Sequence, residues 1–183
     1  YSRTYASTYR IYGTAEFIGE KPQAVIVEDS NSGYQFFSAL CEKSGIPCIS
    51  ANGKSHIYDI VLEREESDVL VIADGAAFGP EMELLTSLQR FKSIKLFLPE
   101  SFEWLVLKSG LFTDKETQDM LLNPFDYIES SEFFSWEQFF THELINKTKG
   151  SHFSYQKSQL NHAYLEGKTH NTIKESLPHL GIV

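Results

Sequence analysis

Apolar residues along this chain fall into short continuous runs that alternate with segments of helical period. Residues 24–27 and 69–73 are uninterrupted apolar runs, which is typical of strands buried on both faces of a parallel sheet. Two further strands are predicted at 47–50 and 94–98. The chain therefore presents four candidate strands between residues 24 and 98.

Helical patterns lie between these strands. Residues 33–44 bring four apolar side chains to one side and end at Gly45, a residue type that often terminates helices. Further helices are predicted over 56–65 and from Pro80 through Leu88. Because helical crossovers join parallel strands, the sequence predicts an α/β fold with a four-stranded, mainly parallel sheet and flanking helices.

The flanking segments lack this alternation. Residues 1–22 are predicted to form an N-terminal extension, in which 9–12 and 15–18 are candidate short strands. Residues 23–110 are predicted to form the α/β core, and 111–183 a C-terminal helical extension packed on it. The extension holds aromatic residues at helical spacing, which we interpret as a buried layer: Phe133, Phe134, Trp136, Phe139 and Phe140.

Charge limits the partners that the chain can bind. The 183 residues carry a net charge of −9, which opposes indiscriminate binding to nucleic-acid phosphates. Residues 143–183 differ, because they hold five lysines against three glutamates, and five of the six histidines lie in or directly before this segment, at positions 142, 152, 162, 170 and 179. This tail is either a solvated helical face or a surface for a partner or nucleic acid that becomes more positive as pH falls.

Cysteine usage and hydropathy predict a cytoplasmic protein. Cys41 and Cys48 lack the spacing of a metal site or a disulfide framework, so we interpret them as buried structural thiols. No charged-then-apolar segment opens the printed sequence, and it contains no run of about 18 apolar residues, so we expect no membrane span. Free thiols fit a reducing compartment.

Polar loops follow the predicted strands at 28–33, 52–55, 74–79 and 99–103. Because the carboxyl ends of parallel strands meet at one edge of a sheet, ligands of such folds bind there. The candidate substrate-binding positions in these loops are Asn31, Ser32, Gly53, Ser55 and Gly75.

Acidic side chains in these loops suggest a metal site. Carboxylates from several loops repel one another unless a cation neutralises them, and their oxygens suit Mg²⁺ or Mn²⁺. The sequence therefore predicts a divalent metal held by Glu28 and Asp74, with Glu100 or Glu103 completing the shell. The alternative is that residues 29–30 cap the first helix, Asp74 begins a turn, and the glutamates are ordinary surface charges.

Lys54 places one positive charge beside this acidic cluster, where it can hold a phosphate, although an ordinary surface lysine is the alternative. Gly53-Lys54-Ser55 is not a P-loop, because Cys48 stands where that pattern requires glycine.

In chain order, these motifs resemble a Toprim domain, the metal-dependent phosphoryl-transfer fold of topoisomerases, primases and the nuclease halves of the OLD family. Val27-Glu28-Asp29 matches the glutamate that ends the family's first strand, and Asp74-Gly75-Ala76 matches its Asp-x-Asp motif. Gly53-Lys54 resembles a turn of the OLD-like and ATPase-associated relatives. The chain departs from the family at Asp29, where the family has glycine, and at Ala76, where a usual metal ligand is lost.

The resemblance, which covers residues 24–104, implies hydrolysis or transfer at a phosphodiester, with Glu28, Asp74 and Lys54 as catalytic residues. It also implies a nucleic-acid substrate and an ATPase partner, fused or in trans. Two alternatives stay open. One is a catalytically degenerate Toprim-like module that binds a nucleotide or a protein partner, and the other is a flavodoxin-like ligand-binding domain.

Overall fold

The computed structural model describes residues 20–75, 78–128 and 133–182. The short strands predicted at 9–12 and 15–18, and Ala76, lie outside the described residues. The chain divides into two compact units. The first unit ends at Pro99 and also includes the segment from Pro178 onward, whereas the second unit spans Glu100–Leu177.

A four-stranded parallel sheet forms the centre of the first unit. Its strands are β1 (Ala24–Val27), β2 (Cys48–Ser50), β3 (Asp68–Ile72) and β4 (Ser93–Phe97), in the spatial order β2-β1-β3-β4. All three neighbouring pairs are parallel, and Val25 lies opposite Leu70 in the central pair. The predicted α/β fold with its four-stranded parallel sheet is confirmed.

The two central strands are buried because helices cover both faces of the sheet. Every residue of β1 is buried, and so are residues 69–72 of β3. Ile26 and Val71 belong to one buried cluster with the helical residues Ile57 and Leu85. On the other face, Phe37 packs edge-on against Phe97 of β4, with ring centroids 6.4 Å apart. Continuous apolar runs are therefore what both central strands require.

Three helices connect the strands: α1 (Ser32–Ser44), α2 (Ile57–Glu63) and α3 (Gly79–Leu88). Helix α1 ends at Ser44 and is capped by Gly45, whose left-handed φ of 64° is rarely adopted by residues that carry a side chain. Helix α2 is shorter than the predicted 56–65, because a 3₁₀ turn at Lys54–His56 precedes it and the backbone is already extended at Arg64.

The described part of the second unit is helical. Its helices are α4 (Phe102–Lys108), α5 (Lys115–Leu122), α6 (Trp136–Thr148) and α7 (Gly167–Ser176). The side chains of Ser101, Asp114 and Ser135 cap the first three of these helices.

The predicted aromatic layer is only partly buried. Phe139 and Phe140 lie inside the second unit at 2% and 1% exposure. Phe134, however, is 91% exposed, because it precedes the first residue of α6 and does not share the inward face of that helix. The prediction that all five aromatics form one buried layer is therefore wrong for Phe134.

Both cysteines are free thiols in the first unit. A hydrogen bond with Cys41 and burial together raise the pKa of the Cys48 thiol. Among the helices of the described ranges, none combines the length and the apolar character that crossing a bilayer requires.

Candidate functional site at the carboxyl edge of the sheet

The strand order changes direction between β1 and β3. From β1 the chain crosses to β2 on one side and then returns to β3 on the other side. The loops that leave two such strands diverge, and ligands of open parallel sheets bind in the crevice between them. Glu28 directly follows β1, and Asp74 lies two residues beyond β3, so both flank this point.

Glu28 connects the loops on both sides of β1. Its N–H donates to the carbonyl of Ile72 at 2.9 Å, and its carbonyl accepts from the N–H of Gly53 at 2.8 Å. Its side-chain Oε2 accepts from the backbone N–H of Asp74 at 2.9 Å. The half-buried Glu28 carboxylate therefore lies at the start of the loop that carries Asp74.

The donor set fits a hard divalent cation. Glu28 and Asp74 offer carboxylate oxygens, and Mg²⁺ prefers oxygen ligands. Within the described ranges, no three His, Cys, Asp or Glu side chains form a group that could hold a metal. Two carboxylates are nevertheless enough for Mg²⁺, which commonly keeps several waters and takes its remaining ligands from substrate phosphates.

Asp29, the neighbour of Glu28, caps the first helix. Its Oδ1 accepts from the backbone N–H of Tyr34 at 2.7 Å. A Cβ added to Gly33 would lie 3.1 Å from Asp29 Oδ2, so the carboxylate packs directly on this glycine. This is the capping alternative that the sequence left open, and it holds for Asp29. The candidate residues Asn31 and Ser32 lie in the same turn, Asn31 at the N-cap position and Ser32 buried.

The loop after β2 is held against the loop after β1. Asn52 and Gly53 both have positive φ, at 54° and 121°, which forms a tight turn. The Ser50 hydroxyl donates to the carbonyl of Asp29 at 2.7 Å. Nδ1 of His56 lies 3.1 Å from the carbonyl oxygen of Ala51, so it serves as the donor in that contact.

Lys54 begins the 3₁₀ turn after Gly53 and is half-buried, whereas Ser55 is exposed. Ser50 and His56 were not among the residues that the sequence predicted for the site. Both side chains hold the loops by hydrogen bonds to backbone carbonyls. Such contacts cannot be recognised from the types of the residues involved.

The loop after β3 is held by the next strand, since the N–H of Gly75 donates to the carbonyl of Pro99 at 2.8 Å. Gly75 therefore acts here through its backbone. This contact ties the loop that carries Asp74 to the end of β4.

Glu100 and Glu103 belong to the second unit. Glu100 is half-exposed, ahead of α4. Glu103 is 2% exposed, and its Oε1 accepts from the Tyr155 hydroxyl at 2.6 Å. Lys157 Nζ lies 3.8 Å from the same oxygen. Glu103 is thus partnered within its own unit, and a metal-binding role for either glutamate stays a prediction.

The chain was compared with protein-family models, with curated proteins and with solved structures. It matches no family model, no curated protein and no solved structure. The resemblance to Toprim domains therefore stays a prediction from the motifs.

Proposed function

We propose that the first unit is a metal-dependent phosphodiester hydrolase or phosphoryl-transfer domain in which Glu28 and Asp74 hold the metal. The observation that carries the proposal is the 2.9 Å hydrogen bond from the Asp74 N–H to Glu28 Oε2. It brings one carboxylate to the base of the other at the point where the strand order reverses. The type and place of these groups support a Mg²⁺ or Mn²⁺ site.

The residues around this pair have separate roles in the proposal. A divalent ion at such a site supplies polarisation of phosphoryl oxygens and a more acidic water. Glu28 and Asp74 hold the ion. Lys54 contributes positive charge toward a phosphate from the loop that Gly53 ties to the Glu28 carbonyl. A nucleic-acid substrate, presented by an ATPase partner, is the proposed source of the phosphodiester.

A flavodoxin-like ligand site is less well supported. The strand order β2-β1-β3-β4 agrees with flavodoxin-like topology, in which the ligand also binds at the reversal between β1 and β3. A helix N-terminus binds phosphate through its free N–H groups and positive dipole. Here the Asp29 carboxylate accepts from Tyr34 and packs on Gly33 at the N-terminus of α1. Its negative charge opposes a second anion at that position.

Metal titration and cleavage assays test the proposal together. Isothermal titration of the whole chain with Mn²⁺ and Mg²⁺ should show binding, and nicked, linear and single-stranded DNA should be cleaved only with the metal. Glu28→Gln and Asp74→Asn should each lower Mn²⁺ affinity by about tenfold or more and abolish cleavage. Glu42→Gln, an exposed carboxylate on α1, is the matched control and should change neither result.

Two outcomes would redirect the assignment. Metal or nucleotide binding without turnover would favour the catalytically degenerate module, which the hydrogen bond to Asp74 also supports, because Glu28 is satisfied there without a cation. Metal affinity or cleavage that persists undiminished in either variant would exclude Glu28 and Asp74 as the site.

A further inference from the structure

Large apolar side chains are exposed on both sides of residues 129–132 in the second unit. Leu122, Phe125, Tyr127 and Phe134 are 76%, 81%, 40% and 91% exposed. We call these four residues and Trp136 the aromatic patch. Within the patch, Phe125 contacts Trp136, and exposed apolar surface on a soluble domain commonly binds a partner.

The aromatic patch is continuous with the interior of the second unit. The rings of Phe125 and Trp136 meet edge to face with centroids 4.9 Å apart. Trp136 in turn stacks on Phe140 at 6.1 Å, and Phe140 is 1% exposed. These contacts join the 3₁₀ turn Pro124–Asp126 to the start of α6. Phe125 is therefore packed on Trp136, which is packed on a buried ring. Because these contacts already restrict the Phe125 side chain, little further conformational entropy is lost when a partner binds it.

The sequence that contains the aromatic patch is acidic. Between residues 114 and 143 the sequence has eight acidic side chains and one lysine. Three of these acidic side chains are paired with lysines, Glu137 with Lys157 and both Asp114 and Glu116 with Lys147. Asp119 and Asp126 form no ion pair with any residue in the described ranges. Asp126 lies in the same 3₁₀ turn as Phe125, so negative charge directly adjoins the exposed ring.

We propose that the aromatic patch docks a basic amphipathic segment of a partner protein. The apolar side of such a segment would cover Phe125 and Phe134. Its lysines and arginines would face Asp119 and Asp126, and a cation over Trp136 would gain a cation–π contact. This surface is independent of the carboxylate pair in the first unit.

Charge also favours a basic segment over the other ligands that an apolar surface can bind. Nucleic-acid phosphates and anionic lipid headgroups are repelled by the surrounding acidic side chains. A second copy of this chain brings the same negative charge to a face-to-face contact, which is unfavourable for like charges. A basic segment satisfies both the apolar and the acidic character of the aromatic patch.

A pair of synthetic peptides tests the proposal with the whole chain. The probe is a fluorescein-labelled amphipathic helix with leucine on one face and lysine on the other, and the matched probe has glutamate in place of each lysine. Fluorescence anisotropy should show saturable binding of the leucine–lysine peptide. Binding of the leucine–glutamate peptide should be weaker by about tenfold or more, and added salt should weaken the first complex.

Variants assign the binding to the aromatic patch. The double variant Phe125→Ser, Phe134→Ser should lose binding of the leucine–lysine peptide. Phe91→Ser is the matched control, since Phe91 is equally exposed at 81% but belongs to the first unit. Far-ultraviolet circular dichroism and thermal melting would verify that both variants are folded.

Three results would overturn the proposal. They are equal binding of both peptides, undiminished binding by the double variant, and a concentration-dependent dimer in sedimentation that the double variant abolishes. The last of these results would make a second copy of the chain the occupant.

Discussion

Glu28 Oε2 accepts a hydrogen bond from the backbone N–H of Asp74, 2.9 Å away, across the two central strands. The carboxylate closes the end of the β1–β3 pair, and in the proposed function it also binds the divalent cation. The proposed function therefore gives Glu28 two separable roles, one in stability and one in metal binding. Substitutions that keep an acceptor but remove the charge distinguish them.

Glu28→Ala and Glu28→Gln should differ in stability but agree in metal binding. Alanine leaves the Asp74 N–H without its acceptor, which should cost about 1–3 kcal/mol in the free energy of unfolding. Glutamine keeps an acceptor oxygen and should cost less. Urea denaturation measures the free energy, and calorimetric titration with Mn²⁺ should show weakened binding in both variants. Equal destabilisation by the two substitutions would contradict the hydrogen-bonding role.

The effect of Gly33→Ala should change sign with the residue at position 29. In the native chain the added Cβ would lie 3.1 Å from Asp29 Oδ2, so the cap must shift and the helix should lose stability. Asp29→Ala alone should cost about 0.5–2 kcal/mol, because it removes the acceptor for Tyr34 N–H.

In the Asp29→Ala background, Gly33→Ala should instead be neutral or stabilising, by up to about 1 kcal/mol from helix propensity. A double-mutant cycle by urea denaturation measures this coupling. Additive effects of the two substitutions would show that the carboxylate and the glycine do not interact.

Asp114 should make stability depend on acid pH. The hydroxyl and N–H of Thr117, with Lys147 nearby, hold the pKa of Asp114 below its usual value. The stabilisation is therefore complete above the unfolded pKa of about 3.9 and is lost as pH falls through the lower folded pKa. Asp114→Asn keeps the cap of α5 without this titration.

Urea denaturation of the native chain and Asp114→Asn, over about pH 7 to about pH 2, measures the difference. The advantage of the native chain should shrink as the carboxylate is protonated. At neutral pH, Asp114→Ala should cost about 0.5–2 kcal/mol. A pH-independent difference between the native chain and Asp114→Asn would contradict the assignment.

Tyr155→Phe should destabilise the protein more than Glu103→Gln. The tyrosine hydroxyl donates to a carboxylate that is 2% exposed, so phenylalanine leaves a buried charged group short of a donor, at about 1–3 kcal/mol. Glutamine retains an acceptor for the hydroxyl. Thermal and urea unfolding compare the two variants, and a larger loss in Glu103→Gln would show that the charge contact with Lys157 dominates.

The central strands were predictable because burial on both faces leaves no polar position within them. Residues 24–27 form β1 as predicted, and the run at 69–73 differs from β3 by one residue at each end. Helix α2 was less predictable, since the turn Lys54–His56 depends on backbone hydrogen bonds of the loop before it.

The side-chain partners at the sheet edge were only partly predictable. Glu28 and Asp29 are adjacent acids of similar type, but one reaches Asp74 and the other caps α1. The direction of each side chain depends on the pleat of the strand and on the turn that follows it. Neither can be deduced from the fact that both residues are acidic. Glu103 is similar, because Tyr155, its partner, lies 52 residues away along the chain.

The order of the two units along the chain matters for synthesis, because the last segment of the first unit is translated after the whole second unit. The Ser44 hydroxyl donates to the carbonyl of Ile182, and Leu180 and Ile182 are 4% and 1% exposed. At roughly 5–20 residues per second, a ribosome needs about 4–16 s to translate Glu100–Leu177 before it delivers these residues. A chain whose translation stops within the second unit therefore contains all four strands of the sheet but lacks the last segment of the first unit, from Pro178 onward.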